Sequence, residues 1–204
     1  RRQAVGYHHV RGVGGRTLRF TGGAHRLNPR AMQLHRDFGI GADWPFDYAL
    51  LEPWYEQVES IIGVAGPART GQRPRSKPCP LPAHGLSFAS QKLAQGAGQL
   101  GWGWESNTLA ALSRPYDGRP DCNYCQQCNR GCPRGDKGSV DVTFLRKALA
   151  TGHCTIKSAV QVTQLLAGKA DRVDGLVYRD ALGEHTLQVP VIVLCAGSVE
   201  TPRL

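Results

Sequence analysis

The sequence has little of what would place it quickly. Its 204 residues hold one methionine, 7% aromatic residues, and 16 acidic side chains against 25 Lys and Arg. No apolar run approaches the ~18 residues of a membrane-spanning helix, so no transmembrane span is predicted. The seven cysteines are an odd number, and Cys79, Cys154 and Cys195 stand apart from one another and from the rest. A disulfide framework spreads its thiols evenly through a short secreted chain, which excludes that class. The net charge of +9 admits an anionic partner, but the arginines are scattered, from Arg11, Arg16, Arg19 and Arg26 to Arg69, Arg73 and Arg75. With no basic helix and no basic–aromatic alternation, the pattern of a nucleic-acid binder is missing.

Turn chemistry and four crowded thiols are present instead. The 25 Gly and 13 Pro predict a loop-rich chain. It opens without methionine, in a basic phrase containing His8 and His9, and ends on a helix-like first turn at Thr201-Pro-Arg-Leu204. That reads as an excerpt of a longer protein. Cys122, Cys125, Cys128 and Cys132 follow the spacing C-x2-C-x2-C-x3-C-P. This run holds iron–sulfur clusters in bacterial ferredoxins, although there the fourth cysteine serves a second cluster, and no second run exists here. Zinc sites, by contrast, usually split into two separated pairs. An iron–sulfur cluster, another metal and a cysteine-rich structural loop therefore all remain open for these four residues.

Periodicity gives the elements. Asp47 is placed to cap a helix carrying Leu50, Leu51, Trp54, Val58, Ile61 and Ile62, with Pro53 in its first turns and its aromatics in the core. The Pro/Arg-rich passage from Gly66 to Pro82 predicts an extended excursion, lid or linker. Phe88, Leu93, Ala97 and Leu100 predict a second helix ending at Gly101, and Val140–Ala150 a third, stopped by Gly152. Short antiparallel strands are expected at 155–157, 159–166, 173–178 and 186–189, with turns at 170–171 and 180–183. The apolar run Val189–Cys195 predicts a buried parallel strand leading through Ala196 and Gly197 into a helix start.

Four phrases, in order, resemble the FAD-dependent glucose-methanol-choline oxidoreductases, in the branch of gluconate, fructose and sorbitol dehydrogenases and pyranose-oxidase-like enzymes. They are Gly12-Val-Gly-Gly-Arg-Thr-Leu18, Asp43-Trp-Pro-Phe-Asp-Tyr-Ala-Leu-Leu-Glu-Pro-Trp-Tyr55, the cysteine run through Gly135-Asp-Lys137, and Ile192-Val-Leu-Cys-Ala-Gly-Ser-Val-Glu-Thr-Pro-Arg-Leu204. The resemblance implies an α+β or α/β fold: an incomplete, Rossmann-like FAD-binding domain with an inserted substrate or lid region. It implies a cofactor-contacting loop and helix in 1–65, a lid-side excursion with the cysteine run in 66–139, and a return to the FAD-binding domain in 140–204.

By the same resemblance, Gly14, Gly15 and Thr17 meet the flavin and pyrophosphate, Val162 meets adenine, and Ala196 and Gly197 lie beside the phosphates and ribose. The implied activity is oxidation of a CH–OH group of a sugar, polyol or other alcohol by hydride transfer to FAD. An electron-acceptor subunit or cytochrome is the implied partner, with an iron–sulfur cluster at the cysteine run as a relay between them. Arg19 stands where some relatives attach FAD through histidine, which implies non-covalent flavin. The G-x-G-x-x-G fingerprint and the family's C-terminal histidine motif are absent from the sequence, so no catalytic residue is named. The rival reading is a small iron–sulfur or metal-binding electron-transfer module built on Cys122, Cys125, Cys128 and Cys132.

Overall fold

A computed structural model describes residues 10–68 and 73–204. His8, His9 and the centre of the Pro/Arg-rich passage lie outside the described residues. The chain divides into two compact units, Arg1–Cys154 and Thr155–Leu204, each mixing helix with extended segments or sheet. Among the described residues no helix is long and apolar enough to cross a membrane.

The first unit opens with a 3-10 turn at Gly15–Leu18 and another at Pro29–Met32, followed by the short helix α1, Leu34–Phe38. Helix α2, Tyr48–Ile62, starts where the sequence puts it, because the Asp47 side chain accepts a hydrogen bond from the Leu50 N–H. It stops at Gly63, whose φ of 76° suits glycine and whose N–H bonds to the Glu59 carbonyl. Pro53 sits within the helix and removes only the bond its amide would have given to Ala49.

The face α2 buries is not the expected one. Leu50, Trp54 and Val58 are exposed, Trp54 to 61%, whereas Tyr48 and Glu59 are buried. An ionic network takes that side. Arg26 donates from Nε and Nη2 to Glu59 Oε1 and Oε2, both at 2.8 Å, and from Nη1 to Glu52 Oε1 at 3.1 Å. Arg75 donates from Nη2 to Glu59 Oε1 at 2.8 Å. Burial works against the Arg26 charge, but bonds to Glu59 and Tyr48 outweigh it, so the guanidinium holds its proton more tightly than usual. A carboxylate between two guanidiniums tolerates burial because both of its oxygens are paired.

The same network ties down the described part of the Pro/Arg-rich passage. Tyr48 OH donates to the Pro74 carbonyl at 2.6 Å, and Ser76 donates from its N–H and hydroxyl to Glu52. β1, Ala65–Gly66, and β2, Leu81–Pro82, then pair in parallel where the excursion leaves and returns. Around them lies a small core of Val64, Cys79 and Ala110 beside Ala65, Leu81 and Leu112. Backbone pairing of Ala65 with Leu109 and of Gly23 with Leu109 closes it.

Helix α3, Phe88–Gln99, is capped by the Ser87 hydroxyl, and Gly101 follows its end with φ 71°. The expected helix at Val140–Ala150 forms as a π turn, Asp141–Leu145, running into α4, Arg146–Ala150, with Gly152 at φ 74° beyond it.

The second unit carries a three-stranded antiparallel sheet of β3, Gln161–Ala167, β4, Val173–Asp180, and β5, Gly183–Gln188. Ala170 and Asp171, both at positive φ, lie between the first two strands, as the turn signal predicts. Residues 155–157 form no strand, and neither does the run 189–195, where Val191 and Val193 are 76% and 80% exposed. Apolarity permits a strand to be buried, but a parallel strand also needs neighbours for its N–H and C=O groups. Among the described residues no strand pairs with it. α5, Gly197–Arg203, ends the chain.

Two changes test the first unit. Glu59→Gln leaves two buried guanidiniums without their shared carboxylate and lowers unfolding free energy by about 3–5 kcal/mol in urea titrations. Gly63→Ala, with its new Cβ 2.4 Å from Leu112 Cδ2 at positive φ, costs about 1–3 kcal/mol or more. A pH dependence follows from Glu52. Burial raises its carboxyl, but hydrogen bonds from Ser76 and the charge and hydrogen bond of Arg26 outweigh this and hold it below its ordinary value. Its stabilisation is therefore complete above the unfolded value and lost as pH falls through the folded one. The stability difference between wild type and Glu52→Gln shrinks below about pH 4.3 and is constant near neutrality.

Candidate functional site

The candidate site is built on the loop at Gly12–Leu18. Gly15 N–H bonds to the Gly12 carbonyl at 2.9 Å, which closes a tight turn. Gly14 and Gly15 have φ of 102° and 55°, a region that glycine enters without strain. A Cβ on Gly14 would lie 2.9 Å from Leu18 Cδ2 and 3.3 Å from Asp141 Cβ, so the loop packs closely on the start of the π turn. A Cβ on Gly15 would meet nothing within 4 Å, which leaves that stretch of backbone open to an approaching group. Thr17 fastens the two elements. Its hydroxyl donates to the Gly14 carbonyl at 2.6 Å and accepts from the Val140 N–H at 3.0 Å.

Lys137 lies beneath this loop and is fully buried. Its ammonium donates to the carbonyls of Leu18 at 2.9 Å, Phe20 at 3.0 Å and Cys128 at 2.6 Å, and stands 5.0 Å from the Phe20 ring. All three N–H bonds are thus engaged with neutral oxygens. Burial pushes the Lys137 amine below its ordinary value, while the Cys128 and Cys132 thiols, Asp141 and Asp136 pull the other way. Asp136, also buried, accepts from the Cys132 thiol at 3.2 Å and has Arg134 Nε at 3.7 Å. The half-buried Asp141 begins the π turn, with its Oδ1 buried and, among the described residues, without a hydrogen-bond partner. Lys137 had a signal in the phrase Gly135-Asp-Lys137, but neither it nor Asp141 could be assigned a role by pattern. A lone charged residue in a loop usually marks a solvated surface.

The cysteine run winds over the same region. Cys122 N–H bonds to the Leu112 carbonyl at 2.8 Å, and Tyr124 and Gln126 take positive φ as the chain turns. A 3-10 turn follows at Cys128–Arg130. His84 bridges the core and the run: its Nε2 donates to the Ala111 carbonyl at 2.9 Å, which leaves Nδ1 to accept from Tyr124 OH at 3.0 Å.

The structure gives the metal reading of Cys122, Cys125, Cys128 and Cys132 no support. All four are free thiols, and among the described residues no three His, Cys, Asp or Glu side chains are grouped to hold a metal. Cys125 faces solvent and the Cys132 thiol is bonded to Asp136. A cluster needs converging thiolates. This arrangement does not fit one, and no electron-relay step is derived from it.

In the second unit, Val162 on β3 lies opposite Tyr178 on β4, which lies opposite His185 on β5. Tyr178 and His185 stack with ring centroids 5.0 Å apart, and His185 Nε2 meets Asp180 Oδ1 at 2.9 Å. Lys157 Nζ stands 5.4 Å from the centre of the Tyr178 ring. Ala196 precedes α5 without capping it by a side chain, and Gly197 has φ 89° with open space where a Cβ would be. Gly14, Gly15 and Thr17 are thus brought together in the first unit, and Val162, Ala196 and Gly197 belong to the second.

Comparison with known proteins defines the class. The family profile described as GMC oxidoreductase matches residues 40–204, and the chain belongs to that family. The matched span begins after Gly14, Gly15 and Thr17. The chain is 30% identical to the fructose dehydrogenase large subunit of Gluconobacter japonicus over 199 residues, covering 96% of the chain and 36% of that protein. It is 29% identical to the 2-methyl-1,2-propanediol dehydrogenase of Mycolicibacterium austroafricanum over 205 residues, covering 94% of the chain and 35% of that protein. With the gluconate 2-dehydrogenase flavoprotein of Pantoea cypripedii the identity is 26% over 219 residues, covering 91% and 36%. The chain therefore spans about a third of the length of these relatives.

The thiol environments make a direct prediction. Burial raises the Cys79 thiol, which is 8% exposed, whereas Cys125 and Cys195 face solvent. Brief alkylation of the folded protein with iodoacetamide, followed by peptide mapping, labels Cys125 and Cys195 first and leaves Cys79 unmodified until denaturant is added.

Proposed function

We propose that this chain is the central part of an FAD-dependent oxidoreductase that oxidises a CH–OH group of a sugar, polyol or other alcohol. The observation that carries the reading is the Gly14–Gly15 turn, whose open backbone is held rigidly by Thr17 above a buried lysine. Gly15, at positive φ with open space where a Cβ would lie, lets a phosphate or the polar edge of a flavin ring come close to the backbone. When bound, FAD supplies the hydride acceptor.

The chain's own residues hold and orient that cofactor. Gly14 and Gly15 contribute backbone surface, and Thr17 and Lys137 fix the loop so that the surface is preorganised. Val162, Ala196 and Gly197 are proposed as further contacts, with small or short side chains that let the backbone approach the ligand. Residues 1–65 would supply the loop and its supporting helix, 66–139 the substrate-side or lid region, and 140–204 the return to a Rossmann-like cofactor domain. Non-covalent flavin follows from Arg19 at the position where some relatives carry the attaching histidine. No base is assigned: His84 is bonded to Tyr124 and a backbone carbonyl, and His185 to Asp180. An electron-acceptor subunit or cytochrome is the proposed partner, in keeping with a relative named as a large subunit.

The test uses the protein that carries this chain at full length. Purified protein shows the two-banded visible absorption of flavin, and anaerobic addition of a sugar or polyol from a panel bleaches it. Gly15→Val, which strains the turn and fills the open face, lowers bound flavin at least about tenfold. Broad visible absorption without flavin would instead favour a cysteine-centred electron-transfer module.

A further inference from the structure

The first 36 residues of the sequence carry eight arginines, and no Asp or Glu precedes Asp37. A second stretch, residues 122–135, is also free of acids and holds Arg130 and Arg134. The fold brings the two stretches together. The 3-10 turn at Gly15–Leu18 packs against the 3-10 turn at Cys128–Arg130, and Lys137 bonds to carbonyls of both. Arg11, Arg16, Arg19 and Arg130 stand exposed on these segments. Among the described residues, none of the four side chains makes an ion pair or a hydrogen bond. Elsewhere arginines are matched: Arg26 and Arg75 by Glu59, Arg134 by Asp136, and Arg146 by Asp117. Asp136 and Asp141, in the same region, are buried and half-buried and act on Arg134 and Lys137 instead. Positive charge is therefore left uncompensated on the surface around the Gly14–Gly15 turn.

Resting on the flavin reading above, we propose that this arginine surface docks the carboxylate-rich face of an electron-acceptor protein, a ferric cytochrome. The flavin reading puts the cofactor at the turn that the arginines surround, so an acceptor held there is held beside the source of electrons. Each CH–OH group oxidised to C=O gives up two electrons and two protons. Two ferric haems become ferrous, and the protons pass to solvent. Opposite charge on facing surfaces guides such an encounter and fixes its orientation more than it adds affinity. Unpaired arginines suit this role, because a guanidinium already forked onto an internal carboxylate has less to offer a partner. A cofactor diphosphate is the rival anion. It draws its arginines into a concave and largely closed site, whereas these four are exposed on turns.

The experiment uses full-length protein whose flavin is photoreduced without air and then mixed rapidly with ferricytochrome c. One batch of the cytochrome is native, with a basic face, and the other has its lysines succinylated and presents carboxylates. The test variant combines Arg11→Glu with Arg130→Glu. The control combines Lys169→Glu with Arg172→Glu, the same change of charge at exposed residues of the second unit. At low salt the wild type reduces the succinylated cytochrome at least about tenfold faster than the native one, and the advantage fades as ionic strength rises. The test variant lowers that rate at least about tenfold and the control less than about twofold. Flavin content and the rate with a neutral quinone stay at wild-type values. Equal rates with the two cytochromes overturn the proposal, as does a control that costs as much as the test variant. Lower flavin content in the test variant also overturns it and assigns the arginines to the cofactor diphosphate. So does an equal loss with the neutral quinone, which needs no charged docking face. Each of these outcomes leaves the flavin reading intact if the wild type carries flavin. Wild-type protein without flavin overturns that reading, and this proposal with it.

Discussion

One buried ammonium decides how the first unit closes. Lys137 reaches the carbonyls of Leu18 and Phe20 from below and the carbonyl of Cys128 from the side, joining the glycine loop to the cysteine run. A lysine is rarely enclosed, because its charge loses hydration. Here three carbonyl dipoles, the Phe20 ring and the nearby Asp136 and Asp141 replace that hydration. Each carbonyl it serves would cost about 1–3 kcal/mol if left buried and unbonded. The lysine and the two loops therefore stand or fall together.

A second charged centre uses the same logic for a different purpose. Glu59 is held between Arg26 and Arg75, and Glu52 collects Arg26 and Ser76. These contacts fix the loop before α1 and the described part of the Pro/Arg-rich passage to one side of α2. Such networks contribute geometry more securely than net stability, because the desolvation of each ion offsets much of its attraction. Between the two centres the apolar core is small, built on Val64, Ala65, Leu81, Ala110 and Leu112. Polar anchoring thus does work here that a larger core would do elsewhere.

For function, the consequence is preorganisation. The Gly14–Gly15 turn is closed by its own Gly15–Gly12 bond, fastened to the π turn by Thr17 and supported from beneath by Lys137. A loop restrained at three points can offer its backbone to a ligand with little further loss of entropy. In the proposed function, that restraint keeps the loop backbone fixed against the cofactor.

Local chemistry in the sequence determined a good deal. Asp47 caps α2, Gly63, Gly101 and Gly152 end helices at positive φ, and residues 170–171 turn the sheet, because each depends on near neighbours in the chain. The order of four phrases was enough to reach the family. Tertiary structure alone decided which face of α2 is buried, since Arg26 and Arg75 arrive from elsewhere to claim Glu59. It also decided that, among the described residues, the four close-spaced thiols are not grouped as a ligand set and no strand pairs with the apolar run 189–195. Spacing and hydropathy record what a segment can do, but a salt bridge, a ligand set or a strand pair exists only when distant segments bring its other half.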